Sequence, residues 1–151
     1  MTQAIETQQP ADGEVVSITG STLGLAGRYL ISAGTNHFIS DAKPSAGGPG
    51  EAVRAGELLL AALASCALAL VQSQAAATGA ALAAVRVEAS FKRDAQDGTR
   101  YEFIRLRFAL AGVDLGTART LVAHFTDSCP IYNTLRRGGP IGVEVVTDTA
   151  A

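Results

Sequence analysis

Cysteine is scarce in this 151-residue chain, limited to Cys66 and Cys129, and histidine is limited to His37 and His124. No Cys-x-x-Cys or paired-histidine spacing is present, so the pattern points away from a metal centre, and no metal or organic cofactor is expected. In a reducing compartment two such cysteines are free, redox-active or metal-binding rather than a permanent bridge. Charge is also sparse, at 17% of residues, with a net charge of -2 and a pI near 5.6. That leaves no basic excess to neutralise a phosphate backbone or an anionic membrane surface, so neither nucleic acid nor membrane is an expected partner. Residues 1–10 are polar and lack a positive segment followed by an apolar run, so no secretory signal is read and a cytoplasmic location is expected. The longest apolar run, residues 58–71, is interrupted by Ser65 and Cys66 and falls short of the roughly 20 residues that span a bilayer. Gly47-Gly48-Pro49-Gly50 lacks the lysine and hydroxyl residue of a P-loop and reads as a flexible loop. Internal repeats and linker-like tracts are missing too.

What remains is a chain that is 48% apolar and long enough to bury one core. Residues 1–13 read as a disordered polar tail and residues 14–151 as a single domain. Residues 14–19, 28–33 and 37–41 are rich in β-branched and aromatic side chains and are separated by glycine-containing turns, which predicts an antiparallel meander. From Ala55 to Thr78 there is no proline, and Gly79 follows as a stop, which predicts one long helix. Because residues 58–71 are apolar on every face, that helix has to be covered from all sides, and a homodimer is one way to cover it. Residues 85–93 and 101–110 alternate apolar with polar around the turn 94–98, the pattern of a hairpin with one wet face. Thr117 is expected to cap a helix through about 126, Ser128 a second through about 136, and residues 141–147 form a last strand. The predicted class is α+β, helices packed on antiparallel sheet.

Cys129 stands between the expected N-cap Ser128 and Pro130, so its sulfur belongs at a helix N-terminus, where free N–H groups and the helix dipole favour thiolate. A small buried core residue is the alternative reading. Cys66 lies mid-helix among Leu63, Ala67 and Leu70, where desolvation raises a thiol pKa unless a cation arrives from another element or a second subunit. Read locally, Cys66 fits a core cysteine. Arg136 and Arg137 are accounted for as cations at a helix C-terminus.

The segment Glu57-Leu58-Leu59-Leu60-Ala61-Ala62-Leu63-Ala64-Ser65-Cys66 resembles the one carrying the first catalytic cysteine of the OsmC/Ohr family. Cys129-Pro130-Ile131-Tyr132-Asn133-Thr134-Leu135-Arg136 is similar to that family's second-cysteine motif. The resemblance covers roughly residues 15–147. It implies an OsmC-like fold with antiparallel sheets around a long central helix, in an intertwined homodimer with active sites at the subunit interface. It also implies a peroxidase cycle in which Cys66 is oxidised to a sulfenic acid, Cys129 condenses with it to a disulfide, and an external thiol or dithiol restores both. Family members activate the first cysteine with an arginine from the early strands held by a glutamate at the start of the long helix. That glutamate follows a proline and lies ten positions before the cysteine, where this chain has Ala55 and Gly56. Glu57 lies nine before, about 180° around the helix from Cys66 at about 100° per residue. Glu57 is therefore either the clamp or a first-turn carboxylate favoured by the dipole. Arg28 is the first candidate for the arginine and Arg54 the second.

The expected function is reduction of organic hydroperoxides, with Leu59, Leu60 and Leu63 offering an apolar surface to the substrate. One rival is a non-catalytic dimer of the same fold that binds an apolar ligand near the cysteines. Another is a structural dimer with two inert core cysteines.

Overall fold

The computed structural model describes residues 15–139. The expected tail 1–13 and last strand 141–147 lie outside these residues. Three strands open the fold: β1 (Thr19–Thr22), β2 (Arg28–Ala33) and β3 (Asn36–Asp41), antiparallel in the order β1-β2-β3. The first strand falls later than the expected 14–19. The tight turn sets its register, with Leu23 N–H donating to Arg28 O and Arg28 N–H to Leu25 O, while Val15, Val16 and Ile18 stay exposed. Burial does not place this strand, since Thr19–Thr22 are themselves exposed; the turn does, and β-branched side chains without a buried face carry no register of their own.

A short 3-10 turn, Pro44–Ala46, leads to the long helix α1 (Ala55–Thr78), bounded as the sequence predicts. Glu57 accepts from the backbone N–H of Arg54, 2.8 Å away, which closes the first turn. At the other end Gly79 takes the left-handed conformation (φ 68°) and donates to Ala75 O and Ala76 O, stopping the helix. The hairpin follows: β4 (Ala84–Arg93) paired with β5 (Tyr101–Ala111), matching Val87 with Phe108 and Ala89 with Leu106. Its alternate residues are half-buried, giving the expected single wet face. Helix α2 (Leu115–Ser128) and helix α3 (Pro130–Arg137) complete the described chain.

Both expected caps move. Asp114, not Thr117, caps α2, accepting from Thr117 N (3.0 Å) and Thr117 Oγ1 (2.7 Å). Cys129, not Ser128, caps α3, because Ser128 still belongs to α2 and the helices are separated by one residue.

By length and composition α1 is apolar enough to cross a bilayer. It serves instead as the central helix of the fold. Leu63, Ala67, Val71 and Ala75, spaced four apart, form its buried stripe. Ala67, Val71 and Ala75 join Leu121, Phe125 and Cys129 in one core, against which Val85, Val87, Leu106 and Phe108 pack. Phe125 lies at the centre, with ring centroids 5.6 Å from Phe108 and 5.3 Å from Tyr132. Burying a side chain of this size contributes about 1.5–3 kcal/mol.

Candidate functional site

The fold brings the two cysteines together from 63 residues apart, with their sulfurs 2.7 Å apart, closer than unbonded sulfurs pack. Both are free thiols, within reach of the roughly 2.05 Å bond of a disulfide. The buried stripe of α1 sets Cys66 beside the core, and the corner between α2 and α3 brings Cys129 to meet it. Cys66 is half-buried and Cys129 fully buried. Access to a reactant therefore lies at Cys66.

The electrostatics differ between the two. Cys129 Sγ accepts a hydrogen bond from the Tyr132 backbone N–H (3.3 Å), as the cap of α3. For Cys66, burial pushes the thiol up, and neighbouring Cys129 adds to the effect, reaching about 11. No cation contributes to that balance among the described residues. In the isolated chain the thiol form of Cys66 is therefore favoured at neutral pH.

The two residues expected to clamp and activate Cys66 have other partners. Arg28 donates from Nε to Asp41 Oδ1 and from Nη2 to Asp41 Oδ2, each at 2.9 Å, and to Glu51 Oε2 at 2.7 Å. Asp41 is buried and also accepts from the backbone N–H groups of Glu51 (3.0 Å) and Ala52 (2.9 Å). The Arg28 guanidinium holds the Asp41 carboxyl well below the usual carboxylate range. This network fastens the loop ahead of α1 to strands β2 and β3. Glu57 pairs with Arg54, whose guanidinium holds its carboxyl below the ordinary value. Arg54 precedes Cys66 by twelve residues, about 18 Å along a helix, so the pair cannot touch the cysteine of its own chain. Within one chain Glu57 closes the first turn of α1, and Arg28 joins β2 to Asp41 and Glu51.

Gly56 explains part of this. A Cβ there would meet Phe91 Cε1 and Cζ at 2.8 Å and the Tyr101 hydroxyl at 3.3 Å. The Phe91 and Tyr101 rings stack with centroids 4.2 Å apart against the start of α1. They occupy the space a side chain at position 56 would need.

A cavity of about 420 Å³ is lined by Leu63, Tyr101, Ile104, Leu106, Tyr132, Leu135 and Arg136, and two of these, Leu63 and Tyr132, lie three residues along their helices from Cys66 and Cys129. Of the three leucines expected at the substrate, Leu63 is in this wall. Leu59 and Leu60 are half-buried on α1 and are not among its lining residues. The hairpin residues Tyr101, Ile104 and Leu106 gave no local signal of this role, since the alternation that predicts a strand does not say what its inner face meets. Arg136, read as a helix-end cation, stands at the wall of the groove.

The OsmC-like protein family model matches residues 48–144. No curated protein matches the sequence. Among solved structures, an OsmC-like protein from Mycoplasma pneumoniae superposes with a TM-score of 0.72 at 17% identity, covering 82% of this chain and 88% of that one. An organic hydroperoxide resistance protein OsmC from Legionella pneumophila gives 0.63 at 22% identity, with 82% and 90% covered. The organic hydroperoxide resistance protein OhrB of Bacillus subtilis gives 0.59 at 21%, with 82% and 91% covered. These superpositions show the shared α+β architecture of antiparallel sheets and a long helix, and the match over residues 48–144 shows that the chain belongs to the OsmC-like family.

Proposed function

We propose that this protein is a thiol-dependent peroxidase that reduces organic hydroperoxides with Cys66 and Cys129. The observation that carries this reading is the 2.7 Å approach of a reachable Cys66 to a buried Cys129. In the cycle, the Cys66 thiolate attacks the outer peroxide oxygen and the O–O bond breaks. The alkoxide leaves and takes up a proton as alcohol, and Cys66 becomes a sulfenic acid. The Cys129 sulfur then displaces the hydroxyl, releasing water and forming the disulfide. An external thiol or dithiol supplies the two electrons that restore both thiols. The apolar groove at Leu63, Ile104, Leu106 and Leu135 accepts the organic group.

A homodimer in the cytoplasm completes the reading. Ala61, Ser65 and Ala69, spaced four apart on the face of α1 opposite its buried stripe, are exposed in the chain and small enough for another backbone to approach. A second copy covering this face also supplies the positive charge that Cys66 lacks in its own chain, with Arg54 the candidate.

The test is mass spectrometry of the reduced protein after a brief, near-stoichiometric pulse of an organic hydroperoxide, compared with hydrogen peroxide. The expected result is loss of two hydrogens and a peptide joining Cys66 to Cys129, faster with the organic peroxide. An unchanged mass sinks the peroxidase. It leaves the second reading, a non-catalytic dimer holding an apolar ligand in the groove, which the raised Cys66 thiol and the displaced carboxylate at Glu57 favour.

A further inference from the structure

The corner between α2 and α3 is a single residue, Cys129, which ends one helix and caps the next with φ -73° and ψ 115°. Across so short a connection the angle between the two helices rests on the backbone of one residue, the Phe125–Tyr132 ring contact and whatever polar bonds span the corner, and Pro130 has no N–H to contribute. The last turn of α2 also leaves carbonyls without helical partners.

One side chain answers both needs. Asn133 Nδ2 donates to Thr126 O at 3.0 Å and to Cys129 O at 3.0 Å, with Asp127 O at 3.4 Å. A carboxamide carries two N–H donors, so the two short bonds use both hydrogens and the third is a weaker shared contact. One bond therefore ends on α2 and the other on the cysteine itself. The amide oxygen accepts from Arg137 Nη2 at 3.3 Å, which fixes which way the group faces. The Asn133 backbone N–H reaches Cys129 O as well, at 3.0 Å. With α3 held in this way, the Tyr132 N–H meets Cys129 Sγ and the sulfur is aimed at Cys66.

We propose that Asn133 is the positioning residue for disulfide formation: by tying α3 to the end of α2 it holds the second sulfur against the first. The proposal rests on the two-cysteine cycle, and it acts on one step of it, the condensation of the Cys66 sulfenic acid with the Cys129 thiol that forms S–S and releases water. Peroxide attack at Cys66 gains nothing from this corner: the Cys129 sulfur it holds raises the Cys66 thiol, so loosening it does not slow attack. An aspartate has nearly the same shape but, as a carboxylate, no hydrogen to donate and a charge that repels the carbonyls. Alanine leaves the carbonyls unbonded, and serine keeps one donor on a shorter arm.

Two measurements on wild type, Asn133→Asp, Asn133→Ala and Asn133→Ser decide the matter, at a temperature where circular dichroism shows each folded. In the first, after an organic hydroperoxide pulse, sulfenic acid at Cys66 is trapped with dimedone against time. Loss of the Cys66 thiol is expected to be no slower than in the wild type, while disulfide formation slows tenfold or more in Asn133→Asp and Asn133→Ala and by less in Asn133→Ser. In the second, the dithiol is equilibrated with reduced and oxidised glutathione, which accepts the two electrons without any peroxide. The disulfide is expected to be at least tenfold less favoured in Asn133→Asp. Equal disulfide rates and equal glutathione equilibria across the variants overturn the proposal. So does slowing of both steps in proportion, which marks a purely structural role. A wild type inert to peroxide that still forms the disulfide in glutathione overturns the peroxidase cycle, and the glutathione comparison then decides the positioning role alone.

Discussion

A methyl group at Gly56 would lie 2.8 Å from two carbons of the Phe91 ring, closer than packed atoms approach. Gly56→Glu, which puts a carboxylate ten positions before Cys66, therefore forces the Phe91–Tyr101 stack apart. Overpacking of this kind costs about 1–3 kcal/mol, and urea denaturation should show that loss with no gain in peroxide reactivity. At Cys66, burial and Cys129 together raise the thiol to about 11. Cys129→Ala removes the second cause and leaves the first, so the alkylation midpoint of Cys66 by iodoacetamide should move down from about 11 yet stay above 9.0. A midpoint that stays near 11 means burial alone sets it. Linkage follows in sign: a thiol raised in the folded state contributes stability fully present below its ordinary value and lost as pH rises through the folded one. In the wild type that loss falls between pH 9.0 and about 11, and thermal melts across that interval check it.

At the scale of the elements, α1 carries the core through a stripe of small and medium side chains, Leu63, Ala67, Val71 and Ala75, and α2 fills the space beside it with Leu121 and Phe125. Phe125→Ala removes the ring that meets both Phe108 and Tyr132, and large-to-small changes of this kind cost about 3–5 kcal/mol. Guanidinium unfolding should return a loss in that range. A loss under about 1 kcal/mol would show that the neighbouring rings close the gap. The bounds of α1 could be read in advance because its signals are local: a proline-free run and a glycine whose positive φ ends it. The same holds for the hairpin, where period-two alternation continues through both strands. The caps of α2 and α3 were displaced because several candidates compete over three residues, and only the backbone geometry decides that Asp114 accepts from Thr117. Least legible was the pairing of charges. That Arg28 belongs to Asp41 follows from their being register partners across β2 and β3, and that Glu57 belongs to Arg54 follows from the cap of α1. The two cysteines were visible as motifs, but their 2.7 Å approach depends on a corner and a core assembled from four elements.

On the scale of the whole molecule, an apolar α1 with buried residues on one stripe sets a problem for a single chain. Hydrophobic burial is the main favourable term in folding, and this helix leaves Ala61, Ser65 and Ala69 in contact with water. In a monomer a charged residue at position 69 sits in solvent and costs little; in a dimer closed over this face it is buried without a partner, which costs several kcal/mol. Ala69→Glu therefore separates the two cases. In sedimentation velocity the wild type is expected at twice the chain mass of 15.4 kDa, and Ala69→Glu at the single-chain mass with unchanged far-ultraviolet circular dichroism. The monomeric variant should also lose the cation supplied by its partner, so that Cys66 reacts with peroxide more slowly while glutathione still oxidises the pair. A wild type that sediments as a monomer removes the dimer, and with it the second-copy source of charge for Cys66. A variant that remains dimeric moves the interface to another face of the chain, and the exposed apolar residues ahead of β1, Val15, Val16 and Ile18, then become the surface to alter next.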